Sequence, residues 1–183
     1  MPPLLALGRR RRARRLPRTG NAASGPPDTK GPDMDKDDVI DTLNDLIETC
    51  KDGEYGFRAC AEHTQAADLK ADLARHAEEC QKGARELQTA VVKLGGKPDE
   101  KGSASGSMHR GWVALRGSLS GYSDVAMLEE CERGEDVALS RYRKALEEEL
   151  PPDVRPIVER QYEGVMRNHQ DVRALRDRLR AAH

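Results

Sequence analysis

The sequence predicts an all-α protein built as a bundle of four long helices. Three observations support this. The 183-residue chain is strongly polar, with 37% hydrophobic and 34% charged residues, as long helices with a narrow apolar stripe require. Its aromatic residues are few, with one Trp, one Phe and four Tyr, which leaves little for an aromatic-rich β core. Four segments of about 26 to 30 residues place apolar residues at alternating steps of three and four.

Helix A is predicted from about residue 36 to residue 64, with acidic residues at its start, where the helix dipole favours negative charge. Gly53 and Gly56 interrupt its apolar stripe, at a cost of about 1 kcal/mol each against alanine. They indicate either a close approach of another helix, with a local adjustment beside Glu54, or a weak position that the fold tolerates. The stripe consists of Val39, Leu43, Leu46, Cys50, Gly53, Phe57 and Cys60.

Helix B is predicted from about residue 68 to residue 94, and Gly95-Gly96 ends it. His76 and Glu79 lie on or next to its core side. A lone histidine there is more often a hydrogen-bonded structural residue than a metal ligand.

The connection that follows starts as a loop and then becomes briefly amphipathic. Met108, Trp112, Leu115 and Leu119 recur at helical spacing, so we expect a short extra helix that covers the bundle within a long B–C crossover.

Helix C is predicted from about residue 123 to residue 149, and it places Glu132 and Glu135 in the middle of an otherwise apolar face. An ionised carboxylate inside a protein is normally paired, hydrogen-bonded or bound to a metal. Leu150-Pro151-Pro152 forms a tight connection to helix D, which runs to about residue 180. Helix D carries Gln161 and His169 on its inner face.

A long B–C crossover makes helices B and C parallel, as in ferritin-like folds. Counting residues from the connections at 1.5 Å per residue then brings polar groups of all four helices to about one height. A simple up-down-up-down bundle would separate Glu54 from Glu132 by about six residues, or about 9 Å. The crossover arrangement therefore gathers the polar residues, and the simpler one scatters them.

Carboxylate and imidazole groups gathered in a bundle core are the ligands that iron and manganese accept. We therefore treat this cluster as a candidate metal site. Its members are Glu54, His76, Glu79, Glu132, Glu135 and His169, with Gln161 beside them.

The first 33 residues differ from the rest in charge and composition. They carry eight Lys and Arg against two Asp, a net charge of +6, whereas the other 150 residues carry 23 against 30, a net charge of −7. Rich in Pro, Gly and Arg, they are expected to form a disordered basic tail, either a transit peptide or the product of a start codon assigned too far upstream. Residues 34–183 are expected to form the bundle domain, whose acidic balance gives no electrostatic case for nucleic-acid binding.

The four cysteines form no CxxC pair and lie on or beside predicted inner faces. This pattern favours free buried thiols in a reducing cytoplasm over disulfides. No apolar run approaches the roughly 18 residues of a membrane span. We therefore expect a cytoplasmic protein without a membrane partner.

Three short runs carry a resemblance: DGEYGF at 52–57, HRGW at 109–112 and CERGED at 131–136, together with Gln161 and His169 on the last helix. They resemble a bacterial family of four-helix-bundle proteins, distantly ferritin-like and catalogued as a domain of unknown function. The resemblance covers the chain from about Asp35 to its end. It implies the ferritin-like fold and no particular activity.

True di-iron carboxylate proteins carry Glu-x-x-His on two of their helices. This chain has the reversed order at His76 and Glu79, and Glu132-x-x-Glu135 on helix C. The sequence therefore does not predict a standard two-metal centre.

Two hypotheses of function remain. In the first, the protein is a non-catalytic, stress-related or self-associating bundle, a homo-oligomer in the latter case, whose buried polar network sets the helix register. In the second, the Glu and His cluster binds iron or manganese. No phosphate loop, nucleophile elbow or Cys/His signature is present, and whether the protein is an enzyme stays open.

Overall fold

The computed structural model describes residues 35–64, 66–99 and 123–182. These residues form four α-helices, close to the four predicted ones, and the all-α bundle is confirmed. The predicted basic tail and the short helix at Met108–Leu119 lie outside the described residues, and the domain boundary at residue 33 stays a prediction. The helices are α1 (Lys36–His63), α2 (Ala67–Lys93), α3 (Asp124–Glu147) and α4 (Arg155–Ala181).

Local chemistry explains where these helices begin and end. The side chain of Ser123 accepts a hydrogen bond from the backbone N–H of Ala126 and caps the start of α3. Gly95 has φ of +76° just after α2, and the Gly96 N–H bonds back to the carbonyl of Val91. Glycine adopts that left-handed conformation without a Cβ penalty, so the predicted stop at Gly95-Gly96 is confirmed.

Contacts between helices establish the crossover topology. The Thr42 hydroxyl, near the start of α1, donates to a Glu148 carboxylate oxygen at 2.6 Å, just past the end of α3. At the other end of the bundle, the Thr64 hydroxyl donates to Asp124 at 2.8 Å. Helices α1 and α3 are therefore antiparallel. Since α1 and α2 are antiparallel as well, α2 and α3 run parallel, as the crossover requires.

The apolar core consists of two clusters, one toward each end of the bundle. Fully buried side chains such as Leu43 and Leu87 each contribute about 1.5–3 kcal/mol to stability. The cluster near the α3–α4 connection contains Val39, Leu43, Leu46, Ile47, Leu87, Val91, Tyr142, Val154 and Val158. The cluster near the α1–α2 connection contains Phe57, Cys60, Leu69, Leu73, Met127, Leu128, Cys131 and Val172.

Two glycines bring α1 and α2 close together. A Cβ atom on Gly53 would lie 3.0 Å from the sulfur of Cys80, and one on Gly83 would lie 3.3 Å from the sulfur of Cys50. Each glycine on one helix thus leaves room for a thiol on the other. Of the two interpretations of Gly53, close helix approach is the one the structure supports.

None of the four helices is both long enough and apolar enough to cross a membrane, within the residues that the structure describes.

Candidate functional site

Glu135, on α3, is the most deeply buried of the predicted site carboxylates. Its residue is 4% exposed, and its Oε2 atom makes no hydrogen bond. Burial is the largest cause that raises the pKa of its carboxyl to about 8, and the negative charges of Glu79 and Asp136 add to the effect. Glu135 is therefore mostly a neutral carboxylic acid at pH 7, inside the bundle as predicted.

His76, on α2, is completely buried, and its ring lies 5.2 Å from that of Phe57. Neither ring nitrogen makes a hydrogen bond of good geometry, and Nδ1 lies 3.8 Å from a Glu79 oxygen. Burial lowers the pKa of the imidazole and the Arg75 charge lowers it further, although Glu79 and the nearby Asn168 side chain act in the opposite direction. His76 is therefore a neutral imidazole in the core.

Glu132 lies one turn before Glu135 but has an arginine partner. The Arg176 guanidinium, on α4, donates to its carboxylate, and both side chains are largely buried. Arg176 also contacts Asp177 at 2.8 Å. This ion pair ties α3 to α4 and neutralises the Glu132 charge.

Glu54 and Glu79 also have partners close to them in sequence or across the α1–α2 interface. Glu54 accepts hydrogen bonds from Arg58 Nε at 3.1 Å and from the Gln81 amide at 2.8 Å. Glu79 pairs with Arg75 at 3.0 Å and is 48% exposed. Glu79 is thus a surface residue. Its negative charge helps to raise the pKa of the buried Glu135, but its own side chain is not in the core.

His169 lies at the edge of the α3–α4 interface and not at the centre of the bundle. Its Nε2 atom is 3.0 Å from an Asp136 oxygen, and Asp136 is mostly exposed. The buried polar residue of α4 at this height is the neighbouring Asn168. Helix α4 is thus rotated slightly relative to the inner face that its sequence predicts.

A hydrogen-bonded chain links all four helices about two helical turns from Glu135, toward the α3–α4 connection. The Tyr142 hydroxyl, on α3, donates to Gln161 of α4 at 2.8 Å and lies 3.1 Å from the Cys50 sulfur of α1. The Gln161 amide then donates to α2, to the Gly83 carbonyl at 3.2 Å and to a Glu86 oxygen at 2.8 Å. The sequence predicts Gln161 on the inner face of helix D but does not predict these partners.

The structure thus buries His76 and Glu135, pairs Glu132 with Arg176 and Glu54 with Arg58, and leaves Glu79 and His169 toward the surface. Within residues 35–64, 66–99 and 123–182, no group of three or more His, Cys, Asp or Glu side chains is arranged to hold a metal ion. The residue that sequence reasoning missed is Arg176, which lies outside the predicted inner face of helix D and pairs with Glu132.

Comparison with known proteins gives a family and a fold. The model of the family described as Domain of unknown function (DUF2383) matches residues 38–148, which run from the first turn of α1 to just past the end of α3 and stop before α4. No curated protein matches the chain.

Three solved structures share the fold at low sequence identity. The dodecameric thioferritin of Bacteroides fragilis, a bacterioferritin-related protein, is 20% identical, with a TM-score of 0.65 over 82% of this chain and 91% of that one. A two-domain protein from Anabaena variabilis, with DJ-1/ThiJ/PfpI-like and ferritin-like domains, is 15% identical, with a TM-score of 0.67 over 90% of this chain and 46% of that one. A mutant of Dps1 from Mycobacterium smegmatis is 18% identical, with a TM-score of 0.61 over 77% of this chain and 96% of that one. The ferritin-like fold is therefore confirmed.

Proposed function

The chain belongs to the DUF2383 family, and from that premise we propose that it is a non-catalytic, self-associating ferritin-like bundle. Its inner polar groups serve to fix the register of the helices. The observation that carries this proposal is the hydrogen-bonded chain through Tyr142 and Gln161, which joins α1, α2, α3 and α4. Such a network is satisfied only when all four helices take one relative height, so it selects one packing over its neighbours.

The pairing of the acids supports the same role. Glu132 is neutralised by Arg176 and Glu54 by Arg58, so neither presents a free carboxylate to a ligand. Breaking such a pair inside a bundle leaves an uncompensated charge, which costs more than the pair itself contributes. A structural network therefore explains why these residues are charged although they lie near the core.

Two observations support self-association. The structurally similar B. fragilis protein is a dodecamer, and ferritin-like helices offer long outer faces on which copies can pack. On the described surface, Val92 is 60% exposed and Val137 is 38% exposed. Because the four cysteines are free thiols, we place the assembly in a reducing cytoplasm.

Sedimentation velocity of the full chain tests this proposal. We expect a discrete species larger than a monomer at micromolar concentration, in protein purified with and without chelator. A monomer at every concentration would contradict self-association.

A second candidate function is the binding of iron or manganese, favoured by one specific observation. The Oε2 atom of Glu135 and both ring nitrogens of His76 are buried donors or acceptors without a hydrogen bond of good geometry. Buried polar atoms of this kind call for an explanation, and a bound ion is one. These two side chains are the ones available to a metal ion, because Glu132 already binds Arg176 and Glu79 lies at the surface. The residues present therefore do not fit a two-metal carboxylate centre.

Metal analysis separates the two candidates. Protein purified without chelator is compared with Glu135→Gln, which keeps the shape and removes the charge, and with Glu132→Gln as the matched control. Metal binding at this site predicts iron or manganese in the wild type and in Glu132→Gln, and its loss in Glu135→Gln. Equally negligible metal in all three proteins would end the metal hypothesis.

A further inference from the structure

Two buried cysteines face each other across the interface between α1 and α3. The sulfur of Cys131 lies 3.5 Å from the sulfur of Cys60, and both residues are almost fully buried. We propose that Cys60 and Cys131 are a modification site, at which a small neutral hydroperoxide such as hydrogen peroxide oxidises the two thiols to one intramolecular disulfide.

The geometry needs only a small change to form that bond. A disulfide has an S–S distance of about 2.05 Å, so the two sulfurs must approach by about 1.5 Å. Side-chain rotation supplies displacements of this size without moving either helix as a whole. Because the partners are held together by packing, the second step is intramolecular and outruns reaction with a second peroxide.

The thiols form a directed hydrogen-bonded chain. The Cys131 thiol donates to the Cys60 sulfur, and the Cys60 thiol donates to the Met127 carbonyl at 3.9 Å. The bond with Cys60 is the largest cause that raises the pKa of Cys131, and burial adds to it. Cys60 is therefore the sulfur that accepts the S–H group of Cys131, and that contact leaves the two sulfur atoms facing each other.

The other two cysteines differ in their surroundings. The Cys50 sulfur lies 3.1 Å from the Tyr142 hydroxyl, and the Cys80 sulfur lies where a Cβ on Gly53 would be 3.0 Å away. Neither makes the thiol–thiol contact that Cys60 and Cys131 make. They are therefore the matched internal control.

Access to the pair comes from the nearby end of the bundle. Cys60 is in the last turn of α1, which ends at His63, and Cys131 is two turns into α3. The Thr64–Asp124 hydrogen bond of 2.8 Å holds these two ends together. Helix ends open locally at lower free energy than helix centres, so a small oxidant reaches this pair before it reaches the middle of the bundle.

The reaction balances as follows. The Cys60 sulfur, on losing its proton, attacks one oxygen of hydrogen peroxide, the O–O bond breaks, and the products are a sulfenic acid and hydroxide, which takes up the released proton as water. The Cys131 sulfur, on losing its proton, attacks the sulfenic sulfur and expels its hydroxyl group as a second water. Two thiols thus lose two electrons and the peroxide gains two.

Peptide mapping of the full chain under non-reducing conditions tests the proposal. After exposure to hydrogen peroxide and quenching, we expect a mass loss of about 2 Da, one cross-linked pair of peptides containing Cys60 and Cys131, and two remaining free thiols. The rate should rise with pH, because the attacking species is a thiolate. Reduction should restore four free thiols.

Two variants complete the experiment. Cys50→Ala/Cys80→Ala keeps the reactive pair and should give the same cross-link, whereas Cys131→Ala should give no cross-link and should oxidise at Cys60 beyond the sulfenic acid. The proposal is overturned if the wild type keeps four thiols, or if the disulfide joins Cys50 to Cys80. Because the wild-type mapping needs no variant, a misfolded mutant leaves the test intact.

Discussion

Replacing Glu135 by glutamine keeps the shape of the side chain and removes its ability to ionise inside the bundle. In the folded protein the pKa of this carboxyl is raised to about 8 from the ordinary value of 4.5, so the folded state holds the proton more tightly than the unfolded chain. The stability that the neutral carboxyl contributes is therefore complete below about pH 4.5. It is lost as the pH rises through the interval up to about 8.

The size of this effect follows from the two pKa values. The pKa of the Glu135 carboxyl differs by about 3.5 between the folded and unfolded states. This difference lowers the free energy of unfolding of the wild type by at most about 5 kcal/mol at pH well above 8, and by at most about 3 kcal/mol at pH 7. Glutamine carries no such penalty. We therefore expect Glu135→Gln to be more stable than the wild type by less than about 1 kcal/mol at pH 5 and by up to about 3 kcal/mol at pH 7.

Urea unfolding followed by circular dichroism at fixed protein concentration measures these differences at pH 5, 7 and 8.5. Glu132→Gln is the control, because it leaves the largely buried Arg176 without its main partner and should lower stability by about 1–3 kcal/mol. A difference between Glu135→Gln and wild type that does not change with pH would refute the account of Glu135. So would a glutamine variant less stable than the wild type at pH 7.

Three further substitutions test other parts of the structure, each by the same unfolding measurement. Tyr142→Phe removes the hydroxyl that bonds to Gln161 and leaves the amide oxygen unpaired, so stability should fall by about 1–3 kcal/mol, and an unchanged value would count against the four-helix network. Gly53→Ala should destabilise despite the better helix propensity of alanine, because the new Cβ meets the Cys80 sulfur at 3.0 Å, whereas a gain of about 1 kcal/mol would show that the contact relaxes freely. Ser123→Ala removes the cap of α3 and should cost about 1 kcal/mol, and no loss would mean that the cap does not form in solution.

The sequence predicts the bounds and the order of the helices well, because helix periodicity, glycine and proline leave few alternatives. Helix periodicity, the stop at Gly95-Gly96 and the connection through Pro151-Pro152 located the helices within a few residues. The long crossover then fixed the parallel arrangement of α2 and α3. Height along a bundle is a count of residues, so the level of Glu132 and Glu135 could be predicted before any contact was known.

Rotation about each helix axis could not be obtained in the same way. A shift of one residue changes the facing direction by about 100°, which is why Asn168 and not His169 is buried on α4. Long arginine side chains add to the difficulty, because they reach across an interface from positions outside the apolar stripe. Arg176 was not on the predicted inner face of helix D, yet it determines what Glu132 can bind.

The metal ligands proposed from the sequence, Glu54, His76, Glu79, Glu132, Glu135 and His169, therefore stay a prediction. Their residue types suit iron or manganese, but side-chain partners decide which of them is available. Of these six residues, His76 and Glu135 are the two that combine deep burial with polar atoms that lack a hydrogen bond.

A double-mutant cycle on Glu132 and Arg176 tests the structural role of the inner polar groups most directly. Glu132→Gln, Arg176→Met and the double variant are unfolded in urea in the presence of chelator, and the coupling free energy is taken from the four stabilities. If the pair fixes the packing of α3 against α4, the coupling is about 1–3 kcal/mol in chelator-treated protein. A coupling below about 0.5 kcal/mol would show that the two side chains do not stabilise each other, and would contradict a structural role for this pair.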